Sequence, residues 1–230
     1  MRTGCAATGL SRDGATRSYR LVAGTEELTA DAVVVTTPAR ASAGLIEPLD
    51  PEAGTMLRAW DHASVVMVTL RTTETDLAPF AGLSGYLVPK PAQDRLTAVS
   101  FGSNKWSHWK PADGSMILRA SMGRDGAPVD DLIQNWSDER FVRQAVDEVA
   151  CHTGVTLTPA EYRVTRWPQS FPQYRPGHAK LVETLDRSLA NAAPGVVMAG
   201  ASMRGIGIPA CVAQAGQAAT VTQRHLISVL

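Results

Sequence analysis

The densest chemistry-bearing segment of this 230-residue chain runs from Gly200 to Gln217, GASMRGIGIPACVAQAGQ. It follows a short apolar run, Val196 to Ala199, and leads into small residues at near-helical spacing. Gly205 and Gly207 let the backbone approach a ligand closely, and Pro209 suits the first turn of the helix that follows. The free N–H groups and positive dipole end of such a helix favour negative charge on whatever docks there. The same pattern also describes ordinary packing of a helix on a sheet. It is not a GxGxxG fingerprint, because Ala210 stands where the third glycine would fall.

The other candidates are cations and aromatics. Arg119 sits in the otherwise apolar run Met116 to Met122, where a lone charge needs a partner. Lys105 precedes Trp106, and Trp106 and Trp109 have the spacing either to line a ring-binding pocket or to pack a loop on the core. The five histidines, His62, His108, His152, His178 and His225, show no i,i+4 pairing, and Cys5, Cys151 and Cys211 form no CxxC. Neither a metal site nor a disulfide framework is indicated. His178 reads as a turn-stabilising residue and Cys211 as a small core residue. No Ser/His/Asp set or activated nucleophile is visible, so no side chain is assigned a catalytic role.

The elements that must position these residues follow from pattern. The chain is 44% hydrophobic and 19% charged with zero formal net charge, a globular composition without the basic excess of a nucleic-acid binder. No apolar run approaches the ~20 residues of a membrane span, and no secretory leader is visible; with the separated cysteines, this predicts a cytoplasmic protein. Cys5 to Leu10 and Tyr19 to Val22 read as short strands around a turn. The β-branched run within Ala32 to Thr36 suits a strand of a parallel sheet covered on both faces, with a helix starting at Ala39 after Pro38. Ser64 to Arg71, Gly85 to Val88, Thr97 to Phe101 and Met116 to Met122 read as a sheet joined by hairpins or short loops. Phe141, Val142, Ala145, Val146, Val149 and Ala150 define a helical face, as do Leu181, Val182, Leu185 and Leu189 before Pro194-Gly195. Glu161 to Trp167 and Val196 to Ala199 add strands, and Val212, Ala215, Ala219, Thr222 and Leu226 mark a last helix running to Leu230. The fold class is mixed α/β or α+β.

Taken together, RWPQSFPQYRPGH (Arg166 to His178) and VVMAGASMRGIGIPAC (Val196 to Cys211) closely resemble the C-terminal signature of the oxygen-dependent protoporphyrinogen and coproporphyrinogen oxidases. These are FAD enzymes of haem biosynthesis related in fold to amine oxidases. ADAVVVTTPA (Ala30 to Ala39), GYLVP (Gly85 to Pro89), NKWSHW (Asn104 to Trp109) and LRASMGR (Leu118 to Arg124) match upstream in the expected order, and NKW and RASMGR look most like the actinobacterial coproporphyrinogen-oxidising branch. The resemblance implies the C-terminal part of an FAD/NAD(P)-binding, amine-oxidase-like fold. Residues 1–50 and 195–230 would belong to a discontinuous FAD-binding domain, and residues 51–194 to a mixed-sheet substrate domain. It places Trp167, Ile206, Gly207 and Ile208 against FAD and Ala7 near its adenosine side. It likewise makes Leu87 a substrate-pocket position and sets Arg119 and Lys105 to meet propionate carboxylates. The implied chemistry is oxidation of a porphyrinogen to a porphyrin by hydride transfer from a bridging carbon to the flavin, with molecular oxygen as acceptor.

The family's GxGxxG strand–turn–helix and its helical membrane-associating insertion have no counterpart in these residues. Met203-Arg204 also replaces a common Tyr-Glu pair, inverting a charge beside the glycine loop. FAD binding by this chain alone is therefore expected to be weak, with a further chain supplying the other half as one possible remedy. Three readings stand: a partial porphyrinogen oxidase, a non-catalytic binding module that keeps the porphyrin-facing sheet, and a flavin amine oxidase relative with another substrate.

Overall fold

The computed structural model describes residues 1–127 and 129–229; Leu230, the end of the expected last helix, lies outside them. In chain order the elements are β1 (Ala7–Arg12), β2 (Tyr19–Ala23), β3 (Glu26–Ala30), β4 (Val33–Val35), α1 (Ala39–Ile46), α2 (Pro51–Arg58), β5 (His62–Thr72), α3 (Glu74–Leu77), β6 (Gly85–Leu87), β7 (Leu96–Ser100), α4 (Gly102–Lys105), β8 (Met116–Met122), α5 (Val129–Asn135), α6 (Asp138–Thr153), β9 (Glu161–Pro172), α7 (His178–Ala192), β10 (Val196–Met198) and α8 (Ile208–Val229). They divide into one unit of Met1–Asp61 with Pro172–Leu230 and a second of His62–Phe171. No helix of the described residues is long and apolar enough to cross a membrane.

The first unit holds an antiparallel meander, β1-β2-β3, and a parallel pair, β10-β4. Tyr19 is fully buried and donates its hydroxyl to the Pro194 carbonyl at 2.6 Å, tying the meander to the turn before β10. This unit reaches beyond residue 50 and resumes at Pro172, well before 195. The reason lies in Asp50. One carboxylate oxygen caps α2 by accepting from the Ala53 N–H, and the other accepts from Ser188 of α7 at 2.5 Å, so both helices pack into one core with Ile46, Leu57, Leu185 and Met198. The parallel pairing of Val33–Val35 is as expected, but covering on both faces is not. Val34 is 41% exposed, and among the described residues the sheet stops at two strands.

The second unit is a five-stranded sheet ordered β6-β7-β8-β5-β9. Strict alternation on β5 buries Val66, Val68 and Leu70 and leaves Val65, Met67 and Thr69 on the other face. The inner face packs on Phe141, Ala145 and Val149 of α6, a helix started by Ser137, which accepts from the Arg140 N–H, and ended by Gly154 at φ 73°. The strands are not simple successive hairpins, because β5 pairs with β8 while β6, β7 and short helices intervene. Buried Glu148 on α6 accepts from the Arg95 and Leu96 N–H groups at 3.2 and 2.9 Å, fixing the start of β7.

Tyr86 packs near Phe101 with its hydroxyl buried and unpartnered among the described residues, and burial pushes its pKa up to about 12. Tyr86→Phe removes a desolvated polar atom at no cost in packing. It is expected to leave the urea midpoint unchanged or raise stability by about 1 kcal/mol; a loss of that size would reveal a partner for the hydroxyl.

Candidate functional site

In the first unit, β10 delivers the chain into the loop Gly200–Gly207, and α8 leaves it. Gly205 has φ 129°, and a Cβ there would lie 2.6 Å from the Ala210 Cβ, so only glycine lets the loop turn this tightly against its helix. Gln214, in the second turn of α8 and 6% exposed, clasps the loop from inside. Its Oε1 accepts from the Gly200 and Arg204 N–H groups, both at 3.3 Å. Its Nε2 donates to the Gly205 and Ala210 carbonyls at 3.4 and 3.2 Å.

Tyr174 clasps the loop a second time. Its hydroxyl donates to the Ala201 carbonyl at 2.6 Å and accepts from the Gly205 N–H at 2.7 Å. Its ring stacks on His178, with centroids 3.9 Å apart and planes 9° from parallel. The His178 Nε2–H in turn donates to the Met203 carbonyl at 2.8 Å, so the turn-stabilising reading of His178 has a concrete basis. Burial pushes the Tyr174 hydroxyl above its ordinary pKa, with the Gly205 N–H pulling the other way. Folding thus favours the protonated phenol; its contribution is intact below pH ~10 and is lost as the pH climbs through the raised value. Tyr174→Phe keeps the stack but removes both bonds. Amide exchange at Gly205 is expected to quicken roughly five- to tenfold, measurable by mass spectrometry; unchanged exchange would remove Tyr174 from this role.

The outcome of these restraints is a rigid loop whose Ile206, Gly207 and Ile208 are exposed, Ile208 to 81%. The first turn of α8 carries no acidic side chain, and its earliest N–H groups lack intrahelical acceptors. Arg204, expected to change the charge at the loop, pairs instead with Asp186 of α7. Cys211 is half-buried with Sγ 3.7 Å from the Gly205 carbonyl. Ala7 opens β1, exposed and paired with Ala23.

In the second unit, the outer face of the sheet gathers the other expected residues. Cross-strand register places Gly85, Ser100, Arg119 and Thr69 in one row, and Leu87, Ala98, Ser121 and Met67 in the adjacent row. Leu87 is 81% exposed at the rim, and Arg119 projects from the middle of the face. The partner that Arg119 requires is Trp109, whose ring lies 4.3 Å from the guanidinium. Trp109 also meets Trp106 at 5.1 Å, and Lys105 lies 5.4 Å over Trp106, so two indoles link the two cations. Gly102 makes room for this: a Cβ there would sit 2.4 Å from the Trp109 ring. Asn104 of the NKWSHW segment and Ser103 just before it are structural. Ser103 donates to the Trp109 carbonyl and accepts from the Ile117 N–H, while Asn104 donates to the Phe80 and Leu83 carbonyls. Trp167 stands 51% exposed on β9, two residues before Gln169, which adopts a left-handed φ of 45°.

The expected mixed sheet of the second unit is antiparallel at β6-β7, β7-β8 and β8-β5, since each of these strands reverses direction on its neighbour. A glycine loop at the head of a long helix, joined in one chain to such a sheet with an open face, is the architecture of a flavin oxidoreductase. Residues 1–222 match the family of flavin containing amine oxidoreductases, and the chain belongs to that family. Among its relatives is the coproporphyrinogen III oxidase of Bacillus subtilis, 33% identical over 225 residues, which cover 98% of this chain and 46% of that protein. That of Mycobacterium tuberculosis H37Rv is 34% identical over 191 residues, 83% of this chain and 40% of the relative. The chain thus spans about half the length of these relatives or less. A crystal structure from Exiguobacterium sp. 255-15, provisionally named a protoporphyrinogen oxidase, superposes with a TM-score of 0.79 at 27% identity, over 96% of this chain and 46% of that one. Cyclohexylamine oxidase from Brevibacterium oxydans shares the fold, with a TM-score of 0.67 at 17% identity over 95% of this chain and 48% of its own.

Proposed function

We propose that this chain is the flavin-loop and substrate-sheet portion of a porphyrinogen oxidase. The assembled enzyme removes hydrogen from coproporphyrinogen III, or from protoporphyrinogen IX, to give the porphyrin in cytoplasmic haem synthesis. Molecular oxygen is the final acceptor. The observation that carries the reading is the doubly clasped loop Gly200–Gly207, held open at the head of α8 in a chain that aligns along nearly its whole length with a coproporphyrinogen III oxidase.

The residues present fit FAD. The loop is stripped of bulky side chains at Gly205 and Gly207, Ile206 and Ile208 offer apolar surface to a ring system, and the helix start offers N–H groups and positive potential without a competing carboxylate. Ile206, Gly207 and Ile208 would hold the ring portion, and Ala7 the adenosine side. FAD, when bound, supplies the two-electron acceptor. This chain's own work is positional. Tyr174 and Gln214 keep the loop from collapsing, Leu87 and the outer sheet face bear on the tetrapyrrole, and Arg119 and Lys105 meet its carboxylates. A polypeptide corresponding to the unmatched half of the relatives completes the cofactor site.

The test has two arms. Coproporphyrin III titrated into the chain alone should quench tryptophan fluorescence saturably, reporting the sheet face. Anaerobic mixing of the flavin-loaded assembly with coproporphyrinogen III, protoporphyrinogen IX or an alkyl amine should bleach the flavin with a porphyrinogen. Bleaching by the amine alone overturns the proposal.

A further inference from the structure

Between α4 and β8 of the second unit the chain turns back over the outer face of the sheet. A cleft of about 340 Å³ opens there, walled by Thr69, Ile117 and Arg119 from the strands and by His108, Trp109 and Pro111 from the turn. Two neighbouring cations are already neutralised: Lys110 pairs with Glu74 at 3.4 Å, and Arg71, cross-strand from Ile117, pairs with Asp113 and Glu161. Arg119 differs from both. Among the described residues it makes no ion pair, its contact is the Trp109 ring, and no acidic side chain lines the cleft. The cleft therefore keeps a guanidinium fork with no carboxylate to meet it, an arrangement that matches an incoming carboxylate in geometry as well as charge.

The same indole fixes a second donor. The guanidinium lies over the Trp109 ring at 4.3 Å, while His108 meets that ring edge-on, with centroids 6.5 Å apart and planes at 87°. The turn that carries both aromatics is tied down before any ligand arrives. The Lys110 N–H donates to the Ser107 carbonyl at 3.0 Å, and Ser103 links the Trp109 carbonyl to the Ile117 N–H at 3.0 and 2.8 Å. Little ordering is left to be done on binding.

We infer that this cleft is a clamp for a single carboxylate arm and that His108 is one of its binding residues. One arm of the anionic ring enters the cleft, the Arg119 fork and an imidazole N–H of His108 donate to the same carboxylate, and Trp109, Pro111 and Ile117 cover the methylenes of the arm. A neutral imidazole already carries one N–H, so the clamp requires no charge on His108. The inference rests on the proposal that the outer face bears on the tetrapyrrole, and it makes a demand which that proposal does not. Two donors to one carboxylate act as a unit: with one removed, the arm is no longer held in place and the other loses most of its worth. Donors to two different arms act independently.

The experiment is a double-mutant cycle on the full chain, read as the affinity for coproporphyrin III from tryptophan fluorescence. His108→Phe keeps an aromatic edge against Trp109 and removes the donor; it should weaken binding about five- to tenfold, and His108→Gln, which retains an N–H, should recover most of the loss. In the Arg119→Ala background, His108→Phe should cost no more than about twofold. Coproporphyrin tetramethyl ester should bind all these proteins equally. A second probe, 3-phenylpropionate, carries the same arm without the tetrapyrrole. It should shift the Trp109 indole N–H resonance saturably in the millimolar range, the shift should weaken in His108→Phe and in Arg119→Ala, and 3-phenylpropanol should leave the resonance in place.

Three results overturn the clamp: losses that multiply in the double variant, coproporphyrin affinity of His108→Phe within twofold of wild type, or equal losses for the acid and the ester. The two proposals fail separately. A phenylpropionate shift that both variants weaken, without coproporphyrin binding, keeps the clamp and sinks the functional proposal. Coproporphyrin binding with multiplying losses and no phenylpropionate shift does the reverse, and binding of neither probe removes both.

Discussion

Gln214→Ala is expected to loosen the whole glycine loop, raising amide exchange across residues 200–210 by about 100-fold, which corresponds to roughly 3 kcal/mol of local stability. The side chain makes two bonds as acceptor and two as donor, all to backbone groups between Gly200 and Ala210. Truncation strands the Gly200 and Arg204 N–H groups and leaves a hole beneath the loop, so the loss exceeds that of a single surface hydrogen bond. Gln214→Glu separates the two halves of this clasp. It keeps the acceptor for both N–H groups but turns an oxygen toward the Gly205 and Ala210 carbonyls, so exchange there should lie between wild type and alanine. The sheet of the second unit provides an internal reference, and exchange in β8 should be identical in all three proteins. Protection of residues 200–210 within twofold of wild type in the alanine variant would show that the loop is held by other means.

Gln214 also illustrates where sequence reading stops. Periodicity on α8 picks out Val212, Ala215, Ala219, Thr222 and Leu226, yet the buried positions are Gln214 and Ala218, and Val212 faces solvent. A hydrophobic count cannot see a polar residue whose burial is driven by four backbone bonds. Tyr174 sits in a recognisable motif, but its role depends on a fold that brings residue 174 to the carbonyl of 201 and the amide of 205. Elements with clear start signals or strong alternation were plain: α1 starts at Ala39 after Pro38 as read, and β8 spans Met116–Met122. β3, with the polar sequence EELTA, exists because it pairs in register with β2, a tertiary reward that local pattern does not show. α2 carries Pro51 and Gly54, which resemble loop chemistry. Pro51 in fact sits at the helix start, and Gly54 lets the turn approach Glu47, where a Cβ would lie 2.7 Å from that side chain. The outer face of the second unit's sheet was legible as single residues. Its two rows of side chains emerge only from cross-strand register.

Arg119→Ala is expected to weaken coproporphyrin III binding by about 10- to 100-fold, the worth of one charge-assisted hydrogen bond to a carboxylate. The guanidinium projects from two rows that otherwise hold Leu87, Ala98, Met67, Gly85 and small hydroxyl residues, and Arg71 on the same face is already paired with Asp113 and Glu161, so Arg119 is the stronger local source of positive charge for an anionic ring lying there. Trp109 stacks against it at 4.3 Å, holding the side chain in one orientation without neutralising it. Lys105 contributes more weakly, because an ammonium on a flexible stem beside the exposed Trp106 is well hydrated; Lys105→Ala should cost no more than about fivefold. Arg119→Lys should recover only part of the loss, since it keeps the charge but forfeits the planar fork and its stack on the indole. Arg119→Glu sets like charges against each other and should abolish saturable quenching at moderate ionic strength, with added salt partly reversing the repulsion. The control that separates recognition from folding is the esterified porphyrin. Coproporphyrin tetramethyl ester keeps the ring and removes the carboxylates, so its affinity should be the same for wild type and Arg119→Ala. Equal losses for the acid and the ester would mean that Arg119 supports the sheet face and does not read the carboxylate.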